Sequence, residues 1–308
     1  MHDHCVKTCS ISWCGSILLI TLVTSSCGDN ILDSGPEPQS RNVEPSWSPD
    51  GDRVAYVHFA DNEEEFQSLG GWQIWVYSFS SDSSTYWTRG REPAWSPDGS
   101  RIAFTGQDGN VWIISENNVL DPTRITNIGG ASGSRWFPDG HHILFRRWPP
   151  REPFYFYSVA DDGTELTWTG ISGTSFEFLG DGSSIVFTDL SERKFFTIAL
   201  GEPPDSASLM TDVSPLFARH LHTRPGTQEI GYFRFGDGTR KHGLWLISPL
   251  PIHHKMVTLC NGDFSWAPDG ERFVFESYDE HYMGDLWIMT MGSDHRERLL
   301  GEPSDPSP

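Results

Sequence analysis

Six five-residue runs between positions 53 and 276 are dominated by β-branched and aromatic side chains, with polar residues confined mostly to their ends. They are Arg53–Val57, Arg101–Thr105, His142–Arg146, Ser184–Thr188, Glu229–Phe233 and Arg272–Glu276. Runs this short and this rich in β-formers predict buried strands rather than helices. A second set follows, each with an aromatic at its third position: Gln73–Tyr77, Asn110–Ile114, Phe154–Ser158, Lys194–Ile198, Gly243–Ile247 and Asp285–Met289. Weaker runs close each unit, around Tyr86–Thr88, Arg124–Thr126, Leu166–Trp168, Leu209–Thr211, Val257–Leu259 and Arg298–Leu300. No helical periodicity separates them.

A turn signal precedes each first run. The copies read Trp47-Ser-Pro-Asp-Gly51, Trp95-Ser-Pro-Asp-Gly99, Trp136-Phe-Pro-Asp-Gly140, Phe178-Leu-Gly-Asp-Gly182, Thr223-Arg-Pro-Gly-Thr227 and Trp266-Ala-Pro-Asp-Gly270, at intervals of 41 to 48 residues. Proline presets φ for the turn, aspartate can hydrogen-bond its own backbone, and glycine takes the left-handed position that closes the hairpin. Each unit therefore holds four antiparallel strands. Six such units predict an all-β chain, a six-bladed β-propeller of four-stranded antiparallel blades. Pro225-Gly226 in the fifth copy predicts a type II turn, and Gly180 stands where the other copies have proline. The thirteen tryptophans are expected between blades, because an isolated blade cannot bury both of its faces.

This unit closely resembles the WD40-like repeat of TolB-type propellers: a WSPDG turn, a strand, an aromatic-bearing strand and a short terminal strand. The resemblance covers residues 44–302. It implies the propeller fold and, for function, a noncatalytic scaffold that binds another protein in the bacterial envelope.

The apolar stretch centred on Ile17–Val23 has the length of a signal-peptide core, so residues 1–27 read as an export leader. Its end, Val23-Thr-Ser-Ser-Cys27, resembles a bacterial lipobox, which implies lipidation at Cys27 and a location in the envelope, in the periplasm or at the cell surface. Secretion without the anchor is the alternative. Residues 28–43 read as a flexible tether and 303–308 as a disordered tail. Cys5, Cys9, Cys14 and Cys27 all fall in the leader, which leaves Cys260 alone and no disulfide within the propeller. The propeller is expected to be a monomer.

Forty-two acidic residues against twenty-two Lys and Arg give a formal charge of −20. Nucleic acid needs a basic stripe, and none is visible. Anionic head groups would repel the domain, so membrane contact is expected only through the N-terminal anchor.

The innermost strand of each unit carries an alternating polar set: Glu44 and Ser46, Glu92 and Ala94, Gly133 and Arg135, Ser175 and Glu177, His220 and His222, Asp263 and Ser265. With a side-chain period of two, this set faces the central channel. Glu44, Glu92, Arg135, Glu177, His220, His222 and Asp263 are therefore the candidate channel lining. Ring closure brings the last and first units together. His220, His222, Asp263 and Glu44 then form a candidate divalent-metal site, since two imidazoles at i, i+2 on a strand point the same way and carboxylates complete the ligand type. Some polysaccharide lyases with related propellers hold a metal this way, so the alternative function is a metal-dependent carbohydrate-active enzyme. No cofactor is expected on the scaffold reading, and no catalytic residue is assigned. No nucleophile elbow, phosphate loop or His-Glu-x-x-His motif occurs. The acidic insertion 60–71, with Phe66 and Leu69 as apolar anchors, is a candidate partner contact.

Overall fold

The computed structural model describes residues 40–60, 70–149, 153–213, 217–235, 242–249, 252–260, 262–278 and 284–300. The leader, Cys27, most of the tether, Phe66 and Leu69 of the insertion, and the tail lie outside these residues. Among the described residues no helix is long and apolar enough to cross a membrane.

Among the described residues, twenty-four strands form six four-stranded antiparallel sheets, each built from consecutive strands. Blade 1 holds β1 (Ser40–Trp47), β2 (Arg53–Ala60), β3 (Gln73–Ser78) and β4 (Ser83–Arg89). Blade 2 holds β5 (Arg91–Trp95), β6 (Arg101–Thr105), β7 (Val111–Ser115) and β8 (Asn118–Arg124). Blade 3 holds β9 (Ala131–Trp136), β10 (His142–Arg147), β11 (Tyr155–Ala160) and β12 (Thr167–Ser172). Blade 4 holds β13 (Ser175–Leu179), β14 (Ser184–Thr188), β15 (Lys194–Ala199) and β16 (Ser208–Asp212), with one 3-10 turn at Pro204–Ser206. Blade 5 holds β17 (Phe217–Thr223), β18 (Ile230–Phe235), β19 (Gly243–Pro249) and β20 (Ile252–Leu259). Blade 6 holds β21 (Phe264–Trp266), β22 (Arg272–Tyr278), β23 (Gly284–Thr290) and β24 (Arg296–Arg298). The expected six-bladed propeller is therefore present. β1 starts at Ser40 and so takes in the last residues assigned to the tether.

The core is a ring of apolar layers between blades. Val43, Ala55 and Ile74 of blade 1 pack with Trp95, Ile102 and Phe104 of blade 2. Leu144 and Phe156 of blade 3 pack with Phe176, Ile185 and Phe187 of blade 4. Trp47, Val54 and Tyr56 of blade 1 meet Ala267, Val274 and Leu286 of blade 6. Trp47, Trp87, Trp95, Trp136 and Trp266 are buried as expected, and Trp72, Trp75, Trp112, Trp245 and Trp287 are partly buried against the same clusters. Trp148 and Trp168 depart from that expectation: they are 61% and 58% exposed, because one follows β10 in a loop and the other lies on an outermost strand.

The repeat turns work as their residues dictate. Asp50 accepts from the Ser48 hydroxyl and the Asp52 amide, and Asp98 does the same for Ser96 and Ser100. In the fifth copy the left-handed residue moves to Gly226, at φ 72°, as a type II turn requires. Gly180 takes φ 54°, which proline cannot adopt. Turns also stack around the ring: a Cβ on Gly270, at φ 68°, would lie 2.4 Å from the Pro225 carbonyl oxygen, whereas one on Gly99 would only touch Pro49 at 3.6 Å. Gly99→Ala is therefore expected to cost about 1 kcal/mol of left-handed strain. Gly270→Ala adds a backbone clash and is expected to cost about 2–3 kcal/mol. Urea denaturation of the two variants checks the order.

Candidate functional site

A cavity of ≈ 550 Å³ runs along the axis of the ring and is lined by the innermost strands, with all seven sequence-derived candidates on its wall. Four inner strands reach this position through a bulge. Pairing shifts register between Val43 and Ser46 in β1, Arg91 and Ala94 in β5, Ser132 and Arg135 in β9, and Arg219 and His222 in β17. Pro45 and Pro93 sit in two of these bulges, where a strand tolerates proline. The bulged residues Glu44, Glu92, Gly133 and His220 have φ of 52°, 54°, 60° and 52°. For the three that are not glycine this conformation is costly.

The bulges turn backbone amides towards the neighbouring blade, and carboxylates receive them. The Glu44 amide donates to Glu276 Oε1 of blade 6 at 2.7 Å. The Glu92 amide donates to Glu44 Oε2 at 2.6 Å, and the Gly133 amide to Glu92 Oε2 at 2.8 Å. Thr105 Oγ1 also donates to Glu92 Oε2, at 2.9 Å. Three carboxylates thus join blades 6, 1, 2 and 3 in series. Arg146 continues the chain to the Thr174 carbonyl of blade 4, and the Leu221 amide of blade 5 donates to Ser175 Oγ at 3.2 Å.

The far side of the channel holds a compact ionic group. Arg135 Nε lies 3.6 Å from Glu177 Oε2, and its Nη2 lies 3.4 Å from His222 Nε2. The Asp263 Oδ1 atom lies 3.2 Å from His222 Nε2 and 3.3 Å from His220 Nδ1. This group spans blades 3 to 6, whereas blades 6, 1 and 2 present only Ser265, Ser46 and Ala94 at the register of Arg135, Glu177 and His222. At that register the wall is therefore charged on blades 3 to 5 and uncharged on blades 6, 1 and 2.

Burial and repulsion from Glu92 push the Glu44 carboxyl up to about 8. Burial and the Asp263 charge push Glu276 up to about 7. Burial would raise Asp263 too, but His220 and His222 overcome it and hold the carboxyl well below the usual range. Burial opposes charge on His220, and the Asp263 carboxylate outweighs it and raises the imidazole.

Three of the four candidate metal ligands are brought together. His220, His222 and Asp263 converge, but Glu44 is turned along the ring to the Glu92 amide because its own residue is bulged. Among the described residues, no group of three or more His, Cys, Asp or Glu side chains is arranged to hold a metal ion. Cys260 is buried, and burial pushes its thiol well up, which leaves it inert. Sequence reasoning missed Glu276 and Arg146. Both are charged residues near the end of an otherwise apolar second strand, and that mismatch was the available signal.

Comparison with known proteins follows the geometry. Residues 36–215 match the family model described as the TolB beta propeller domain. No curated protein sequence matches the chain. TolB from Acinetobacter baumannii superposes with a TM-score of 0.64 at 16% identity over 84% of this chain, which spans 62% of that protein's length. An oligogalacturonate lyase in complex with manganese gives 0.57 at 14% identity, over 85% of this chain and 77% of that one. The β-propeller domain of the trilobed protease from Pyrococcus furiosus, described as having an open velcro topology, gives 0.57 at 13% identity over 89% and 100%. At these identities the structural likeness concerns the fold.

Proposed function

Because the chain belongs to the TolB beta propeller domain family, we propose that it is an exported, noncatalytic protein-binding scaffold of the bacterial envelope, lipid-anchored through Cys27. The observation that carries this reading is how the channel's ionisable groups are used. Glu44, Glu92 and Glu276 receive amides of neighbouring blades, and Arg135, Glu177, His220, His222 and Asp263 bind one another. A general acid or base must instead reach a substrate proton. Apolar side chains are exposed on the loops that follow the second strands of adjacent blades: Trp148, 61% exposed and packed at 5.4 Å between ring centroids on Phe154 of the cavity wall, and Leu190, 46% exposed. An exposed tryptophan is a side chain that protein partners use as an anchor.

Crosslinking of the full chain in envelope membranes, with the adduct identified by mass spectrometry, tests this. The Trp148→Ala/Leu190→Ala variant is expected to lose the adduct and the His220→Ala/His222→Ala variant to keep it. The reverse pattern would overturn the reading.

A metal-dependent carbohydrate-active enzyme is the second reading. It is favoured by one observation, the placement of Asp263 Oδ1 within 3.3 Å of both imidazoles. A divalent ion taken up there would have His220, His222 and Asp263 to hold it, and would have to displace the His–Asp hydrogen bonds that join blades 5 and 6.

A further inference from the structure

Each blade ends in an outermost strand whose outer edge has no sheet partner among the described residues. Such an edge presents a row of backbone donors and acceptors to any extended chain that fits it. Four of the six are poor templates. β8 carries Pro122, which has no amide to donate. β12 breaks register at its centre, where Gly170 takes φ 78°, and β16 and β24 are five and three residues long. β4 and β20 remain, paired in unbroken register over residues 83–86 and 252–256.

Charge separates these two. Residues 238–262, which build β19, β20 and their connections, contain no Asp or Glu, yet they hold Arg240, Lys241, Lys255 and three histidines in a chain of formal charge −20. The outer half of blade 5 is therefore basic within an acidic protein. Arg219 and Arg224 of the same blade are paired with Glu192, Glu229 and Glu271, whereas Lys255 is exposed on β20 and in no ion pair among the described residues. Alternation places His253 and Lys255, both exposed, on one face of β20, and Ile252, 50% exposed, on the other with the half-buried Met256.

We propose that β20 is a docking edge, to which a protein partner adds an extended segment of alternating acidic and aliphatic residues as a fifth, antiparallel strand of blade 5. This rests on the reading of the chain as a protein-binding scaffold and adds a second surface to it. Main-chain hydrogen bonds along the edge supply attachment, and the alternating side chains supply selectivity. Residues directly opposite each other in such a pair point to the same face, so a carboxylate opposite Lys255 and another opposite His253 meet the basic face, while aliphatic residues between them cover Ile252 and Met256. The same lysine disfavours a second copy of the chain. Two β20 strands paired over residues 252–256 would set Lys255 against His253 or Lys255 of the other copy, and like charges directly opposite are destabilising. Lysine on an edge strand thus blocks self-pairing while leaving the edge open to an acidic strand.

A fluorescently labelled peptide of alternating glutamate and valine, titrated with the full chain, tests the proposal beside a lysine-valine peptide of the same length. The glutamate peptide is expected to bind and the lysine peptide not to. Lys255→Glu should weaken binding of the first by about tenfold and favour the second. Methylating the backbone amides of alternate peptide residues separates strand addition from loose charge attraction. In one frame the methyl groups replace the donors that face β20 and should weaken binding at least about tenfold; in the other they face solvent and should leave it unchanged. The Trp148→Ala/Leu190→Ala variant should bind the peptide as the parent does, so this proposal and the partner contact at Trp148 fail separately. No binding of the glutamate peptide, equal binding of both peptides, or equal loss in both methylation frames would overturn the proposal. So would sedimentation of the chain as a dimer that the glutamate peptide dissociates, since a second copy would then hold β20.

Discussion

Replacing Phe156 by alanine is expected to cost about 3–5 kcal/mol of stability. Phe156 is fully buried on β11, with the Phe176 ring of blade 4 at 4.8 Å and the Phe187 ring, also of blade 4, at 6.0 Å between centroids. Its truncation removes apolar area and leaves a cavity at an interface between two sheets, each of which needs the other to cover its face. Against a total of roughly 5–15 kcal/mol for a folded domain, this is a large loss. Leu120→Ala is the contrast, since Leu120 is 93% exposed on an outer strand, and about 0.5 kcal/mol or less is expected. Guanidinium titration of both variants measures the difference.

Raising the pH from 5 to 9 is expected to weaken the propeller by an amount on the order of 3 kcal/mol. Glu44 and Glu276 are raised in the folded chain to about 8 and about 7, from 4.5. Between pH 4.5 and 8 the folded state therefore binds more protons than the unfolded state, and stability falls as pH rises. Protonating either carboxyl relieves part of the same crowding, so the pair contributes less than the sum of its members. His220, also raised, acts in the same direction, its contribution being lost as pH passes its folded value. Asp263 is lowered and acts oppositely, giving stability above its ordinary range that is lost on acidification. The maximum should lie near pH 5. Glu44→Gln keeps an acceptor for the Glu92 amide and removes one titration, so its stability should fall less steeply above pH 6. A wild-type profile that rises from pH 5 to 8 would contradict the assignment.

The strands were legible because the runs at Arg53–Val57 and its five counterparts combine β-rich composition with a turn whose every residue has a local reason. The inward face of the inner strands was legible for the same reason, since alternation places Glu44 and His222 on the channel whatever the details of pairing. What those residues do there was not legible. The left-handed conformations of Glu44, Glu92 and His220 have no sequence signal, as these are not glycines. Yet they aim the amides of Glu44 and Glu92 at the next blade and turn the Glu44 carboxylate away from the histidines. Glu276 is supplied by a different strand, where a charge in an apolar run marks the residue but does not show that it receives the Glu44 amide.

The most direct test of the scaffold account is the transition-metal content of the untagged, purified chain, measured by elemental analysis beside a His220→Ala/His222→Ala variant. The account predicts no stoichiometric metal in either protein, even after metal is supplied, with the variant less stable because the contacts of both histidines with Asp263 between blades 5 and 6 are gone. About one equivalent of metal in the parent chain, absent from the variant, would contradict it and place a metal centre where we have placed a structural join.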